Sequence, residues 1–329
     1  MPSAHEQEGG PMPLLEVKGL SKHYSTKRPA SFRKSLVKAV DDVSFHIYEG
    51  ETYGLVGESG CGKSTLGKAL LRLVEPTAGE ALYQGEDLNR MPSRQLRASR
   101  RQLQMVFQDP YSSLNPRKTI GRTLEEPLII HGIGSPQERT ELALRMLATV
   151  GLQEEHYDRL PHELSGGQRQ RIGLARALIL EPRLVICDEP VSALDVIIQS
   201  QIINLMRKLQ RELKLTYLFI AHDIGVIRHI SDRIGVMYLG KMVEEARTDD
   251  LFAQPLHPYT QVLLSAVPIP DPAMKKERMV LQGDIPSPLE TVSGCAFHPR
   301  CPYAVEACRK QVPLKREVAP GHFAACHLA

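Results

Sequence analysis

Thr52-Tyr-Gly-Leu-Val-Gly57-Glu-Ser-Gly-Cys-Gly62-Lys63-Ser64-Thr65 decides the fold. A β-rich apolar run stops at Gly57, a glycine-rich turn follows, and a helical pattern takes over from Thr65 to Val74. Strand, loop, helix in that order is the start of a parallel α/β sheet. Gly57 and Gly62 bracket four residues and Lys63-Ser64 follows, which is the phosphate-loop pattern. The glycines let the backbone bend until the N–H groups of Ser59, Gly60, Cys61, Gly62 and the helix start at Lys63, Ser64 and Thr65 face one centre. Lys63 can then reach the β- and γ-phosphates of a bound polyphosphate, and the Ser64 hydroxyl can bind Mg²⁺. A bland glycine-rich turn would need neither the Lys-Ser pair nor this strand-to-helix context.

Further along, Leu184-Val-Ile-Cys-Asp188-Glu189 is an apolar strand ending in two adjacent carboxylates. Neighbouring strand residues point to opposite faces, so the two acids are expected to do different work. Asp188 suits Mg²⁺, and Glu189 suits polarising an attacking water as general base. Gln108 closes the apolar run Leu103 to Phe107, and His222 closes Tyr217 to Ala221. Ligands of open parallel sheets bind beyond the carboxyl ends of the strands, where both residues would lie. On their own, a Gln and a His at strand ends are ordinary turn residues.

The remaining texture is mixed. Leu14 to Val17 and Val40 to Ile47 read as short apolar segments, separated by a basic stretch, Lys22 to Lys38, that reads as a loop. Residues 92–165 read as a helical insert, with the amphipathic stretch Gln137 to Val150 inside it. Asp195 to Leu213 is a helix, with Ile198, Ile202, Leu205, Leu209 and Leu213 at helical spacing. Arg233 to Tyr238 reads as the last buried strand, and prolines from Pro255 onward break the chain into an extension running over the surface. The chain has 329 residues and a net charge of +3, too small to suggest nucleic-acid binding by bulk electrostatics. The N-terminus carries Glu6 and Glu8 and no apolar core, and no run approaches the ~20 apolar residues of a membrane helix.

Leu164-Ser165-Gly166-Gly167-Gln168-Arg-Gln-Arg171 reads locally as a capped helix start, with Ser165 as N-cap and Gln168 completing a capping box. The run also closely resembles the signature of ATP-binding-cassette proteins, and the order of every other motif agrees over about residues 14–250. The resemblance implies a RecA-like phosphate-loop core with an antiparallel β subdomain and a helical subdomain near 109–166, the whole cassette spanning 14–256. It implies that Ser165, Gly166 and Gly167 face the γ-phosphate held by a second subunit, and that Tyr24 stacks on adenine. Gln108 resembles the family's metal- and water-sensing glutamine, Asp195 the loop that couples the two sites, and His222 the switch histidine that positions Glu189. As a bare feature, Tyr24 is ordinary packing.

Phe107-Gln-Asp-Pro-Tyr-Ser-Ser-Leu-Asn-Pro-Arg117, Leu256-His-Pro-Tyr-Thr260 and Gly294-Cys-Ala-Phe-His-Pro-Arg-Cys-Pro302 look like the ATP-binding subunits of bacterial oligopeptide and dipeptide importers, specifically the F-type member. This implies a peripheral subunit on the cytoplasmic face of the membrane, beside a homologous ATPase, two permease subunits and an extracytoplasmic peptide-binding protein. Nickel and glutathione importers share the pattern, and soluble cassette proteins of DNA or ribosomes share the ATP motifs alone. Cys295, Cys301, Cys308 and Cys326 crowd into an extension over 257–329, off the paired spacing of structural zinc. Four thiolates suit zinc or an iron–sulfur cluster, with His298, His322 and His327 nearby; buried free thiols are the plain alternative. Resemblance to cluster-bearing importer relatives favours [4Fe–4S].

Overall fold

The computed structural model describes residues 12–27, 34–109, 113–267, 279 and 292–329; the N-terminal stretch 1–11 and the middle of the Phe107–Arg117 motif, 110–112, lie outside them. Strands β3 (Thr52–Val56), β6 (Leu103–Val106), β7 (Leu184–Asp188), β8 (Thr216–Ala221) and β9 (Arg233–Tyr238) pair in parallel, in the order β9-β3-β8-β7-β6. Their residues are apolar on both faces, as a parallel sheet covered on both sides requires. Along β7 the alternation is visible. Leu184 and Ile186 join one core with Leu55, Ile220 and Met237, while Val185 and Cys187 join the other with Val56, Tyr217 and Phe219.

Helices cover both faces. α1 (Lys63–Leu70) buries Leu66, Ala69 and Leu70 in the first core. It ends sooner than the sequence pattern predicts, with Leu71 as its C-cap. α2 (Ser93–Ser99) precedes β6, so the expected helical insert over 92–165 contains a core strand, and its remaining helices follow that strand. Those are α3 (Ile120–Ile130) and α4 (Pro136–Thr149), which share a separate small core with one side of α5 (Gly166–Leu178). The other side of α5 and α6 (Val196–Leu213) fill the second sheet core. In α6 the buried residues are Ile202, Ile203, Met206 and Leu209, whereas Leu213 is 46% exposed. The apolar stripe therefore leans one residue away from the expected row, since Ile203 and Met206 face the sheet.

The described residues of the basic stretch 22–38 are strand, not loop. They continue β1 (Leu15–Lys27) and β2 (Lys34–Ile47), paired antiparallel with Tyr24 opposite Val37 and His23 opposite Lys38. Backbone pairing holds these two strands together, so their side chains can stay polar. β4 (Ala78–Tyr83) and β5 (Glu86–Asp87) complete a second sheet, β2-β1-β4-β5.

Arg233–Tyr238 is also not the last strand. β10 (Lys241–Arg247), β11 (Arg316–Ala319) and β12 (His322–Ala324) extend the main sheet antiparallel in the order β11-β12-β10-β9. The extension after residue 257 thus returns to the core sheet and covers its edge, where an open β10 would present unpaired N–H and C=O groups. Between β7 and β12, the chain also forms α7 (Ile224–Arg228), α8 (Thr248–Ala253), α9 (Pro258–Ser265) and α10 (Glu306–Lys310).

Candidate functional site

The carboxyl ends of β3, β6, β7 and β8 meet where the predicted residues were expected. The loop after β3 closes on its own N–H groups. The Leu66 N–H reaches the Gly62 carbonyl at 2.9 Å, and the Cys61 N–H reaches Glu58 at 3.2 Å. Gly62 sits at φ +107°, and a Cβ there would stand 1.9 Å from the Ala39 carbonyl oxygen of β2. Only glycine fits, so the antiparallel sheet abuts the loop and fixes its path. Gly57 and Gly60 open the bend, with Ser59 between Glu58 and Gly60. The Cys61 thiol is buried and pushed up by burial, which makes it a packing group rather than a nucleophile.

Lys63 is buried, and its ammonium donates to the carbonyls of Gly57 at 2.6 Å and Glu58 at 3.0 Å. Ser64 donates to the Asp188 carboxylate at 2.7 Å, and Thr65 follows in α1. Burial pushes the Asp188 carboxyl up, while the Ser64 hydroxyl and the Lys68 and Lys63 charges pull it back. A hydroxyl and a carboxylate meeting in this way form a hard-oxygen pair suited to Mg²⁺ beside phosphate.

Glu189 departs from the alternation argument. It adopts φ +47°, so the chain has already left the strand and the two acids are separated by a turn, not by the pleat. That turn carries the Glu189 carboxylate between two partners. Gln108 Nε2 donates to its Oε2 at 2.9 Å, and His222 Nδ1 lies 3.3 Å from the same oxygen. The Glu189 side chain is 11% exposed, whereas His222 is half exposed.

Other predicted residues form separate groups. Ser165 caps α5, accepting from the Gln168 N–H at 3.2 Å, while Gln168 Oε1 accepts from the Ser165 N–H at 2.8 Å. Gly166 and Gly167 pack against the segment that carries Asp195. A Cβ on Gly167 would lie 2.8 Å from Ile198 Cγ2. Asp195 caps α6 through the Ile198 N–H at 2.9 Å. Tyr24 stands exposed on β1 with the Lys22 ammonium 5.0 Å above its ring. Glu58, Tyr259 and Arg300 escape sequence reasoning, because the bonds joining them span 201 and 242 residues.

The C-terminal cysteines are free thiols gathered in one turn-rich unit, where the Cys295 N–H donates to the Cys308 carbonyl at 2.8 Å. Burial first, then the neighbouring Cys308, Cys326 and Cys301, pushes the Cys295 thiol up to about 11; burial also raises Cys301. Yet no three His, Cys, Asp or Glu side chains among the described residues stand close enough to hold one metal ion. The described residues therefore show no preformed metal site, for zinc or for a cluster. The three candidate histidines are engaged elsewhere: His298 with the Cys295 carbonyl, His322 with Glu244, and His327 with the Gln311 carbonyl.

Comparison with known proteins finds family profiles and relatives that match this chain. The ABC transporter family profile matches residues 40–192, and the profile of the oligopeptide/dipeptide transporter C-terminal region matches residues 243–308. A putative peptide import ATP-binding protein of Brucella ovis is 54% identical over 314 residues, covering 95% of this chain and 97% of that protein. The oligopeptide transport ATP-binding protein AppF of Bacillus subtilis is 53% identical over 320 residues, covering 96% and 97%. Among solved structures, the dimeric post-hydrolysis state of the ATP-binding cassette MJ0796 bound to ADP and Pi superposes with a TM-score of 0.63 at 32% identity, covering 71% of this chain and 98% of that one.

Proposed function

The chain belongs to the ABC transporter family, in its oligopeptide-type branch, and from that premise we propose how its residues share the work of hydrolysis and transport. It is the ATP-hydrolysing subunit of a peptide importer. The observation that carries the mechanism is the Glu189 carboxylate held by Gln108 and His222 beside the Lys63–Ser64–Asp188 cradle.

Glu189 takes the proton of the attacking water, Gln108 orients that water, and His222 keeps the carboxylate aimed at it. Lys63, now bonded to its own loop carbonyls, turns to the β- and γ-phosphates when ATP enters. Ser64 and Asp188 would hold Mg²⁺, which would supply charge neutralisation on the phosphates. Tyr24 stacks on the adenine. Ser165, Gly166 and Gly167 lie on another surface and serve the ATP of a second subunit, with Asp195 linking the two sites. That second subunit is a homologous ATPase, and the pair docks on two permeases fed by a peptide-binding protein. No helix among the described residues is long and apolar enough to cross a membrane.

We infer further that Cys295, Cys301, Cys308 and Cys326 hold a [4Fe–4S] cluster as a structural cross-link. Four thiols within electrostatic reach of one another support a shared ligand set of this size. Iron and sulfide content of anaerobically purified protein tests this.

The assembly is tested by co-purification of the tagged chain from detergent-solubilised membranes. Two permeases, a homologous ATPase and a peptide-binding protein are expected. Ribosomal or DNA-repair proteins in their place would overturn the transport reading.

A further inference from the structure

The phosphate loop carries an acid where it should welcome anions. Glu58, directly after Gly57, belongs to the phosphate loop, and a free carboxylate beside the cradle would repel a polyphosphate. The structure fixes this residue at three points. Its N–H donates to the Tyr259 hydroxyl at 2.7 Å, and its carbonyl accepts from Lys63 at 3.0 Å. Its carboxylate takes both arms of Arg300, Nη1 to Oε2 at 2.9 Å and Nη2 to Oε1 at 3.2 Å.

Arg300 comes from the extension, and its side chain is 8% exposed against 24% for Glu58. Its position is set by a packed aromatic group. The rings of Tyr238, Tyr259 and Phe297 lie 4.7 to 5.4 Å apart, centroid to centroid. Arg300 Nη1 also approaches the Tyr238 hydroxyl at 3.5 Å, and the Arg300 N–H donates to the Phe297 carbonyl at 3.0 Å. A planar guanidinium forked onto a carboxylate neutralises the charge and also fixes its direction.

We propose that Arg300 is a positioning residue of the ATP site: by neutralising and pinning Glu58, it lets the phosphate loop present N–H groups instead of a free carboxylate to the nucleotide. The proposal rests on the ATP reading of the loop. It makes the C-terminal extension part of the nucleotide site, although no residue of the extension belongs to the phosphate-loop motif.

The test is equilibrium binding of a Mg²⁺-loaded non-hydrolysable ATP analogue to the full-length chain, with steady-state ATPase kinetics in parallel. Arg300→Ala should weaken binding about tenfold, the size of one stranded charge-assisted pair, with the loss falling on KM for MgATP rather than on kcat. Arg300→Lys should recover part of it, since it keeps the charge and loses the fork. The double variant Glu58→Gln/Arg300→Ala should bind better than Arg300→Ala alone, because the repelling charge is gone. Wild-type affinity in Arg300→Ala overturns the proposal. So does a double variant as weak as the single one, since the defect would then lie in the fold of the extension. A wild-type chain that fails to bind the analogue would instead overturn the ATP reading itself.

Discussion

His257 offers a pH lever whose size follows from burial. The residue is 1% exposed, and its Nδ1 caps α9 by accepting the Tyr259 N–H at 3.1 Å. Burial moves its pKa from 6.5 to about 4. Above pH 6.5 both folded and unfolded chains hold it neutral, and its contribution to stability is complete. As pH falls toward 4, the unfolded chain takes up a proton that the folded chain resists, so stability is lost. The difference of roughly 2.5 units amounts to about 3 kcal/mol at the acid end, and about 2 kcal/mol of it has gone by pH 5. A protonated Nδ1 can no longer accept from Tyr259, whose hydroxyl holds the Glu58 N–H of the phosphate loop. The loss is therefore felt at the cradle. Urea unfolding of wild type and His257→Asn at pH 7, 6 and 5 isolates the effect, because asparagine keeps a cap acceptor and removes the titration. Wild type should lose about 2 kcal/mol more than the variant over that range. Parallel stability curves, or a steeper loss in the variant, would refute the reasoning.

Three further outcomes are expected. Glu189→Gln should keep ATP binding and slow hydrolysis by roughly 10²- to 10⁴-fold, the contribution of a positioned base; retained turnover in a phosphate-release assay contradicts its role. Lys63→Ala should weaken nucleotide binding itself, and an unchanged affinity by calorimetric titration would remove the cradle reading. Gly167→Ala should cost about 1–3 kcal/mol, because its Cβ lands 2.8 Å from Ile198 Cγ2. Trimming Ile198 to alanine in the same chain should return part of the melting temperature lost; no recovery would mean that the contact is not the cause.

The parts of this site that were legible in the sequence share one property: each is local. The phosphate loop, the capped start of α5 and the strand ending at Asp188 are set by a few neighbouring residues and their spacing. The pairing of β1 on β2 was hidden because it is held by backbone bonds, which permit the polar side chains of Lys22 and Lys38 and leave no apolar alternation to read. The turn at Glu189 was hidden because a left-handed φ outside glycine has no pattern in a strand-like run. The return of β12 to the sheet edge and the grip of Arg300 on Glu58 depend on where distant segments arrive, and periodicity carries nothing about that.

Two adjacent acids on β10 explain why the extension and the core are one structure. Glu244 and Glu245 are both buried, and a buried carboxyl group without partners costs several kcal/mol. Glu244 accepts from the Leu256 and His257 N–H groups at 2.8 and 2.9 Å and pairs with His322 at 2.8 Å. Glu245 pairs with Arg233 of β9 and with Lys315 just before β11. Apart from Arg233, every one of these partners lies beyond β10 in the chain. The pairing of β12 on β10 and the docking of α9 therefore complete the polar contacts of these two residues together. That same docking carries Tyr259 to the Glu58 N–H, and the aromatic group around it carries Arg300 to the Glu58 carboxylate. The stiffness of the phosphate loop is thus assembled partly from the last third of the chain, which is why an ATP cradle complete in its own motif still sits against this extension.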